Sequence, residues 1–354
     1  MYNELVKLEN IFSAWREFRS GKNNRLDIMS FERNLEDNLF ALHEDLANNT
    51  YKHGPYHTFH IWDPKHRIIS KATVRDRVVH HLVFRELYRI FNPTFIFHSY
   101  SSRLGKGAHL AVKNLSNILR SASHNYTKPT FALKCDIKQF FASVPHQKLL
   151  QIIQRKIKDS RFLWLVEQIV ASFSSQPLFN NSTEIASSAD ANRLPRNDGI
   201  GLPIGNVTSQ IFANIYLNEL DQFIKHTLKV KHYFRYADDF VLLNDNQNIL
   251  QQQLNTIDNF LQTELSLLLH PDKVSIKKYT QGIDFLGYVI LPRHIVLRTK
   301  TKRRMFKKLT EKKLLWQMGE ITDESFNNSL QSYLGMLKHG DCFWLRQKIL
   351  EYTH

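Results

Sequence analysis

The chain has 354 residues, 42% of them hydrophobic, and 48 Lys and Arg against 33 Asp and Glu leave a formal net charge of +15. That length supports a substantial core and two or three subdomains, and the basic excess points to a polyanionic partner, nucleic acid before an acidic membrane. Two cysteines, Cys135 and Cys342, exclude a disulfide framework and fit free thiols in a reducing cytoplasm, while the absence of a long apolar run or an apolar leader argues against membrane spanning and secretion.

In chain order, Ser30 is expected to cap a helix in which Phe31, Leu35, Leu39, Leu42 and Leu46 recur at helical spacing, ending before Asn48. A basic, extended segment follows and turns helical from about Asp76. Gly105, Lys106 and Gly107 precede another amphipathic helix, without the spacing of a P-loop. From Phe131, "FALKCDIKQFFASVPHQKL" reads as a strand, a turn and a helix, and residues 174–201 read as a polar insertion. "GLPIGNVTSQIFANIYLNELDQFIKH" reads as a Gly-rich loop followed by a helix with Ile211, Ile215, Leu217 and Leu220 on its apolar face. A helix over 247–268 and short strands in "HPDKVSIKKY" and "GIDFLGYVIL" come next. Residues 298–313 hold nine Lys or Arg and one Glu, and the remaining tail reads as helical.

Between these elements lies "HYFRYADDFVLLN", which sets two aspartates, Asp238 and Asp239, at the turn of a β-hairpin with apolar arms. Aspartates suit a wet turn, but two carboxylates fixed side by side in a core hairpin repel each other unless a cation lies between them. Asp136 is the candidate third carboxylate, because it ends the β-prone run Phe131–Cys135. Three such groups suit Mg²⁺, a hard cation that prefers oxygen ligands and bridges substrate phosphates.

The ordered segments "KCDIKQFFASV", "GLPIGNVTSQIFANIYLNELD", "RYADDFVLL", "HPDKV" and "FLGYVI" closely resemble the palm motifs of reverse transcriptases. Upstream, "TVRDRVVHHLVF" and "SYSSRLGKGAH" resemble the fingers of the bacterial branch. The resemblance spans about 55–290, with a weaker thumb-like match beyond. It implies an α+β right-hand polymerase with fingers, palm and thumb, an antiparallel palm sheet and a helical thumb. The expected parts are an N-terminal helical extension (1–54), fingers (55–130), palm with the insertion (131–290) and a basic helical thumb (291–354).

By the same resemblance, Asp136 and Asp238 are the main ligands of two Mg²⁺ ions, with Mn²⁺ as the alternative ion and the Ile137 carbonyl assisting. Asp239 is the second acidic partner, and Lys273 is the acid that protonates the leaving pyrophosphate. Arg67, Lys71 and Arg75 hold the incoming triphosphate, although each also suits a solvated surface. Phe141 falls at the steric gate that selects deoxynucleotides, or serves as a core aromatic. Gly205 lets backbone approach the templating pair, Ser209 and Gln210 cap the next helix or touch the template, and Phe285, Leu286 and Gly287 form the primer grip or a core strand.

Ile204 and Gln210 in "PIGNVTSQ" depart from the intron-type pattern and are similar to diversity-generating retroelement polymerases and to unclassified bacterial enzymes of antiphage defence. No zinc-ligand endonuclease, maturase or RNase H segment is seen, so intron mobility is not expected. Tyr-Ala-Asp-Asp and the polar insertion tilt the reading towards defence. Expected partners are an RNA template, in particular a structured noncoding RNA, the DNA product, deoxynucleoside triphosphates and an accessory protein, with no membrane. A nucleic-acid-binding protein on an inactive polymerase fold is the alternative, opposed by the presence of all three aspartates, Phe141 and Lys273. A metal-dependent nuclease would share the carboxylates without needing the ordered motifs.

Overall fold

The structure is a computed structural model that describes residues 1–63, 65–173 and 199–351. Its first elements are α1 (Tyr2–Leu5), α2 (Leu8–Arg19), α3 (Leu26–Glu32), α4 (Leu35–Ala47), β1 (His57–Ile61), β2 (Arg67–Lys71), α5 (Val74–Phe91) and α6 (Ala108–Ala122). Then come β3 (Phe131–Asp136), α7 (Phe140–Ser143), α8 (His146–Lys156), α9 (Ser160–Ala171), α10 (Val207–Gln222), β4 (His232–Tyr236), β5 (Asp239–Asn244) and α11 (Gln247–Leu265). The last are β6 (Ser275–Lys278), β7 (Ile283–Phe285), β8 (Tyr288–Leu291), β9 (His294–Leu297), α12 (Thr299–Gln317), α13 (Asp323–Leu337) and α14 (Phe343–Leu350).

The chain divides into two compact units. The first comprises Met1–Phe97, Ile137–Phe223 and Asp258–Leu269; the second comprises His98–Asp136, Ile224–Ile257 and His270–His354. The first unit is mainly helical, with α5 packed against α2 and α10, and α10 packed against α8. Thr73 caps α5 by accepting from the Asp76 amide, which supplies one of the donors that a helix start leaves unsatisfied. The antiparallel hairpin β1–β2 pairs His57 with Lys71 and Ile61 with Arg67, and every residue of β1 is exposed. The helix expected after Ser30 is two helices: Ser30 lies inside α3, and the chain breaks at Arg33 and Asn34 before α4 begins. The apolar spacing runs through this break because Leu39, Leu42 and Leu46 alone are fully buried on α4. The polar insertion falls, over 174–198, outside the described residues.

The second unit holds a four-stranded antiparallel sheet of order β4-β5-β3-β6 and a three-stranded sheet of order β7-β8-β9. β5 is an inner strand whose Phe240, Val241, Leu242 and Leu243 are all buried, which explains its unbroken apolar run. Burying each such side chain stabilises by roughly 1.5–3 kcal/mol, so the arms of this hairpin hold its tip firmly. Val241, Leu243, Phe285, Tyr288 and Ile290 join one core cluster with Leu115 of α6 and Leu309 of α12.

Candidate active site

The site is built on the end of the four-stranded sheet in the second unit. β4 and β5 meet through a two-residue turn, Ala237 and Asp238, since Tyr236 pairs with Asp239. Ala237 takes φ 52 there, a left-handed conformation that costs a non-glycine residue roughly 1–2 kcal/mol and that the buried arms enforce. On the neighbouring strand, Asp136 is the direct cross-strand partner of Asp239. The register thus brings Asp136 beside the hairpin tip that carries Asp238 and Asp239.

Two lysines face these carboxylates. Lys273 Nζ donates to Asp136 Oδ1 at 2.7 Å, and the His270 amide donates to the Asp136 carbonyl at 2.8 Å, which seats the Pro271–Lys273 turn against the end of β3. Lys134, two residues before Asp136 on the same face of β3, sits 3.6 Å from Asp239 Oδ2. Asp239 Oδ1 is buried and has no hydrogen-bond partner. Burial pushes the Asp239 carboxyl up to about 7; Asp136 and Asp238 push the same way, while Lys134 and Arg298 oppose it. An ionised Asp239 is therefore costly until a further cation or donor reaches it.

Lys134 leads to a second carboxylate. It is 3.9 Å from Asp284 Oδ1, and Asp284 is ion-paired with Arg298, the residue before α12. This chain of charges ties β3 to β7 and to the start of the basic helix. Sequence reading missed Lys134, Asp284 and Arg298 as members of the site. The only available signal was a lysine two positions before a strand-end aspartate. Phe285, Leu286 and Gly287 form the β7–β8 hairpin: Phe285 is buried, and Leu286 and Gly287 make a two-residue turn with φ 51 and 88, the left-handed pair of a type I′ turn.

The remaining expected residues lie in the first unit. Ile137 is buried. Phe141 is half-buried, meets Phe140 edge-on at 5.3 Å, and its carbonyl accepts from the Leu202 amide. Arg67 is exposed on β2, whereas Lys71 pairs with Asp27 at 2.8 Å and Arg75 pairs with Asp45. Lys71 and Arg75 are thus engaged by protein carboxylates and must exchange partners to bind a phosphate. The Gly205 loop lies along β2: the Ser70 amide donates to the Ile204 carbonyl at 2.9 Å, and the Asn206 side chain accepts from the Ala72 amide and donates to the Ser70 carbonyl. Gly205 has φ 119, and a Cβ there would stand 2.7 Å from Ile69 Cγ2, so both conformation and space demand glycine. Ser209 Oγ donates to the Pro203 carbonyl at 2.6 Å, closing the loop onto α10, and Gln210 is exposed.

The donor set suits a hard divalent cation, because it consists of carboxylates and includes the unpartnered, buried Asp239 Oδ1. Among the described residues no three His, Cys, Asp or Glu side chains are grouped closely enough to hold a metal. Asp136 and Asp239 face Lys273 and Lys134 instead, so metal binding requires carboxylates to turn from lysine to the ion.

Mixed helices and antiparallel sheets of this kind are those of the right-hand polymerase fold, which the solved structure of apo telomerase from Candida tropicalis also shows, with a TM-score of 0.50, 12% identity and coverage of 83% of this chain and 58% of that one. The family model for reverse transcriptase (RNA-dependent DNA polymerase) matches residues 52–290, and the chain belongs to that family. Relatives include protein YkfC of Escherichia coli, 24% identical over 72% of this chain and 71% of its own length. The group II intron-encoded protein LtrA of Lactococcus lactis is 22% identical, over 72% of this chain and 50% of its own. The putative COX1/OXI3 intron 2 protein of Saccharomyces cerevisiae is 23% identical, with 71% of this chain and 34% of the yeast protein covered. This chain therefore spans about a third of the yeast protein and half of the Lactococcus one. Among the described residues no helix is long and apolar enough to cross a membrane.

Proposed function

We propose that this protein is an RNA-directed DNA polymerase that extends a primer on an RNA template. The observation that carries the reading is Asp136 paired directly across the sheet from Asp239, with Asp238 at the adjoining turn, in a chain whose family model names this reaction. Two Mg²⁺ ions, or Mn²⁺ in their place, would be held by Asp136, Asp238 and the Ile137 carbonyl, with Asp239 as the looser partner; they would supply activation of the primer 3′-hydroxyl and charge neutralisation at the leaving pyrophosphate. Lys273, which donates to Asp136, would pass a proton to the pyrophosphate. Phe141 would exclude a nucleotide 2′-hydroxyl, and Arg67, with Lys71 and Arg75 released from their carboxylates, would hold the triphosphate. Gly205, Ser209 and Gln210 would meet the template, and the Phe285–Gly287 hairpin the primer. In this reading residues 55–130 are fingers, 131–290 palm and 291–354 thumb, and the cationic face of α12 follows the nucleic-acid backbone.

The more specific proposal is synthesis of complementary DNA from one noncoding RNA in bacterial antiphage defence, supported by Ala237 in Tyr-Ala-Asp-Asp and by the polar segment at 174–201. The departure of "PIGNVTSQ" from the intron-type pattern supports a second reading, mutagenic cDNA synthesis in a diversity-generating retroelement. The test is sequencing of nucleic acid that copurifies from the native locus with wild type and with Asp238→Asn/Asp239→Asn. Complementary DNA to one local RNA, lost in the variant, is the expected result, and adenine-specific changes in it would shift the role to diversity generation. Identical DNA content in both proteins would overturn the polymerase reading in favour of binding alone.

A further inference from the structure

In the first unit three buried polar side chains, His53, His80 and Thr208, form a hydrogen-bonded chain that starts beside a fourth, Asp76. Asp76 on α5 is fully enclosed and accepts from Tyr51 Oη at 2.8 Å, Thr73 Oγ1 at 2.6 Å and the Gly54 amide at 3.1 Å. Beside it, His53 Nδ1 lies 2.6 Å from the Gly54 carbonyl and 3.9 Å from Asp76 Oδ2. His53 Nε2 is 3.0 Å from His80 Nε2, and His80 Nδ1 is 3.2 Å from Thr208 Oγ1 in the first turn of α10. The His53 side chain is 2% exposed, His80 0% and Thr208 1%, so water does not complete these bonds.

The directions of the bonds follow from the atoms present. A carbonyl and a carboxylate both face His53 Nδ1, and neither can donate, so Nδ1 carries the proton. In its neutral form His53 then has a bare Nε2, to which His80 must donate from its own Nε2. His80 Nδ1 is consequently bare and accepts from the Thr208 hydroxyl. Burial above all, with the Arg77 charge adding to it, holds His80 well below the usual imidazole range, which keeps it neutral. A proton added at His53 Nε2 would reverse the chain: His80 would accept there and donate from Nδ1, and the Thr208 hydroxyl would lose its acceptor.

We propose that this one-way hydrogen-bond chain makes His80 and Thr208 positioning residues for the turn of α10 that carries Ser209 and Gln210. The proposal rests on the reading of that turn as the template contact. Asn206, the residue that opens the helix, makes no capping bond of its own, because its side chain is used on β2. The first turn is held instead by Thr208 on His80 and by Ser209 on Pro203. Of these two, only the first reaches α5 and, through it, the Asp76 cluster.

Two measurements test the proposal. Imidazole ¹⁵N spectra of histidine-labelled wild-type protein, without substrate, should show His53 protonated at Nδ1 and His80 at Nε2; a His80 protonated at Nδ1 at neutral pH overturns the assignment. Thr208→Val keeps the shape and removes the hydroxyl, leaving a buried acceptor unpaired, and should raise the Kd for an RNA–DNA template–primer by about fivefold or more. Thr208→Ser should restore it, and kcat should change less than the affinity. Equal affinity in Thr208→Val and wild type, with the fold intact by circular dichroism, overturns the positioning role. Because the spectra need no turnover, an inactive wild-type protein would refute the polymerase reading while leaving the tautomer result to stand or fall separately.

Discussion

Asp239→Asn should stabilise the metal-free protein, and increasingly so as pH rises. The carboxyl moves from an ordinary 3.8 to about 7 in the folded chain, chiefly through burial, and its Oδ1 has no partner. A shift of about three units at about 1.36 kcal/mol each sets a ceiling on the order of 4 kcal/mol. For the sign, the folded-state pKa lies above the unfolded one. The wild-type stability contributed by this group is therefore complete while it is protonated in both states, and is lost as pH rises from about 4 through about 7. An amide suffers no such loss. Thermal melts in chelator at about pH 5 and about pH 8.5 should show a gap in favour of the variant that widens by several degrees at the higher pH, and adding Mg²⁺ should narrow it by stabilising the wild type, with its full set of carboxylates, more than the variant. A gap independent of pH, or a variant less stable than wild type at about pH 8.5, would refute the reasoning.

Lys273→Ala removes a partner of Asp136 whose side chain is 41% exposed. Such a pair contributes about 0–1 kcal/mol, so the melting temperature should hold while primer-extension kcat falls by about 10²-fold or more if Lys273 is the proton donor. Phe141→Ala should raise the ratio of ribonucleotide to deoxyribonucleotide incorporation in single-nucleotide extension, and an unchanged ratio would remove Phe141 from the gate. At Gly287 a Cβ would meet only Thr301 Oγ1, at 3.5 Å, but φ is 88. Gly287→Ala should therefore cost about 1–2 kcal/mol through conformation alone, read as a lower melting temperature together with a higher Kd for primer–template.

The three aspartates were legible because their signals are local: a strand period that ends at Asp136 and a hairpin whose turn falls at Ala237 and Asp238. The same holds for Gly107 before α6 and for the helical tail. What escaped the sequence depends on pairing between distant segments. Lys134, Asp284 and Arg298 are separated along the chain and meet only because β3, β7 and the start of α12 come together. Nothing local marks His53 and His80, which join Thr208 only because α10 packs against α5. The break between α3 and α4 was hidden because the apolar spacing continues through it. On α10, four apolar residues were expected to define a face, but Asn214 and Asp221 are buried as well, since the helix is enclosed by neighbours on more sides than its apolar pattern implies.

That enclosure has a dynamic consequence. Twelve of the sixteen residues of α10 are buried, and its side chains bond to the Pro203 carbonyl, to His80 and, from Tyr216, to the Leu265 carbonyl at 2.6 Å. A helix with so little solvent-facing surface has no inexpensive way to open by itself, whereas β1, exposed throughout, has little to lose. Amide hydrogen exchange should find α10 among the slowest segments of the first unit and β1 among the fastest. Opening of α10 would then follow the unfolding of the whole unit, whereas the β1–β2 hairpin would open locally.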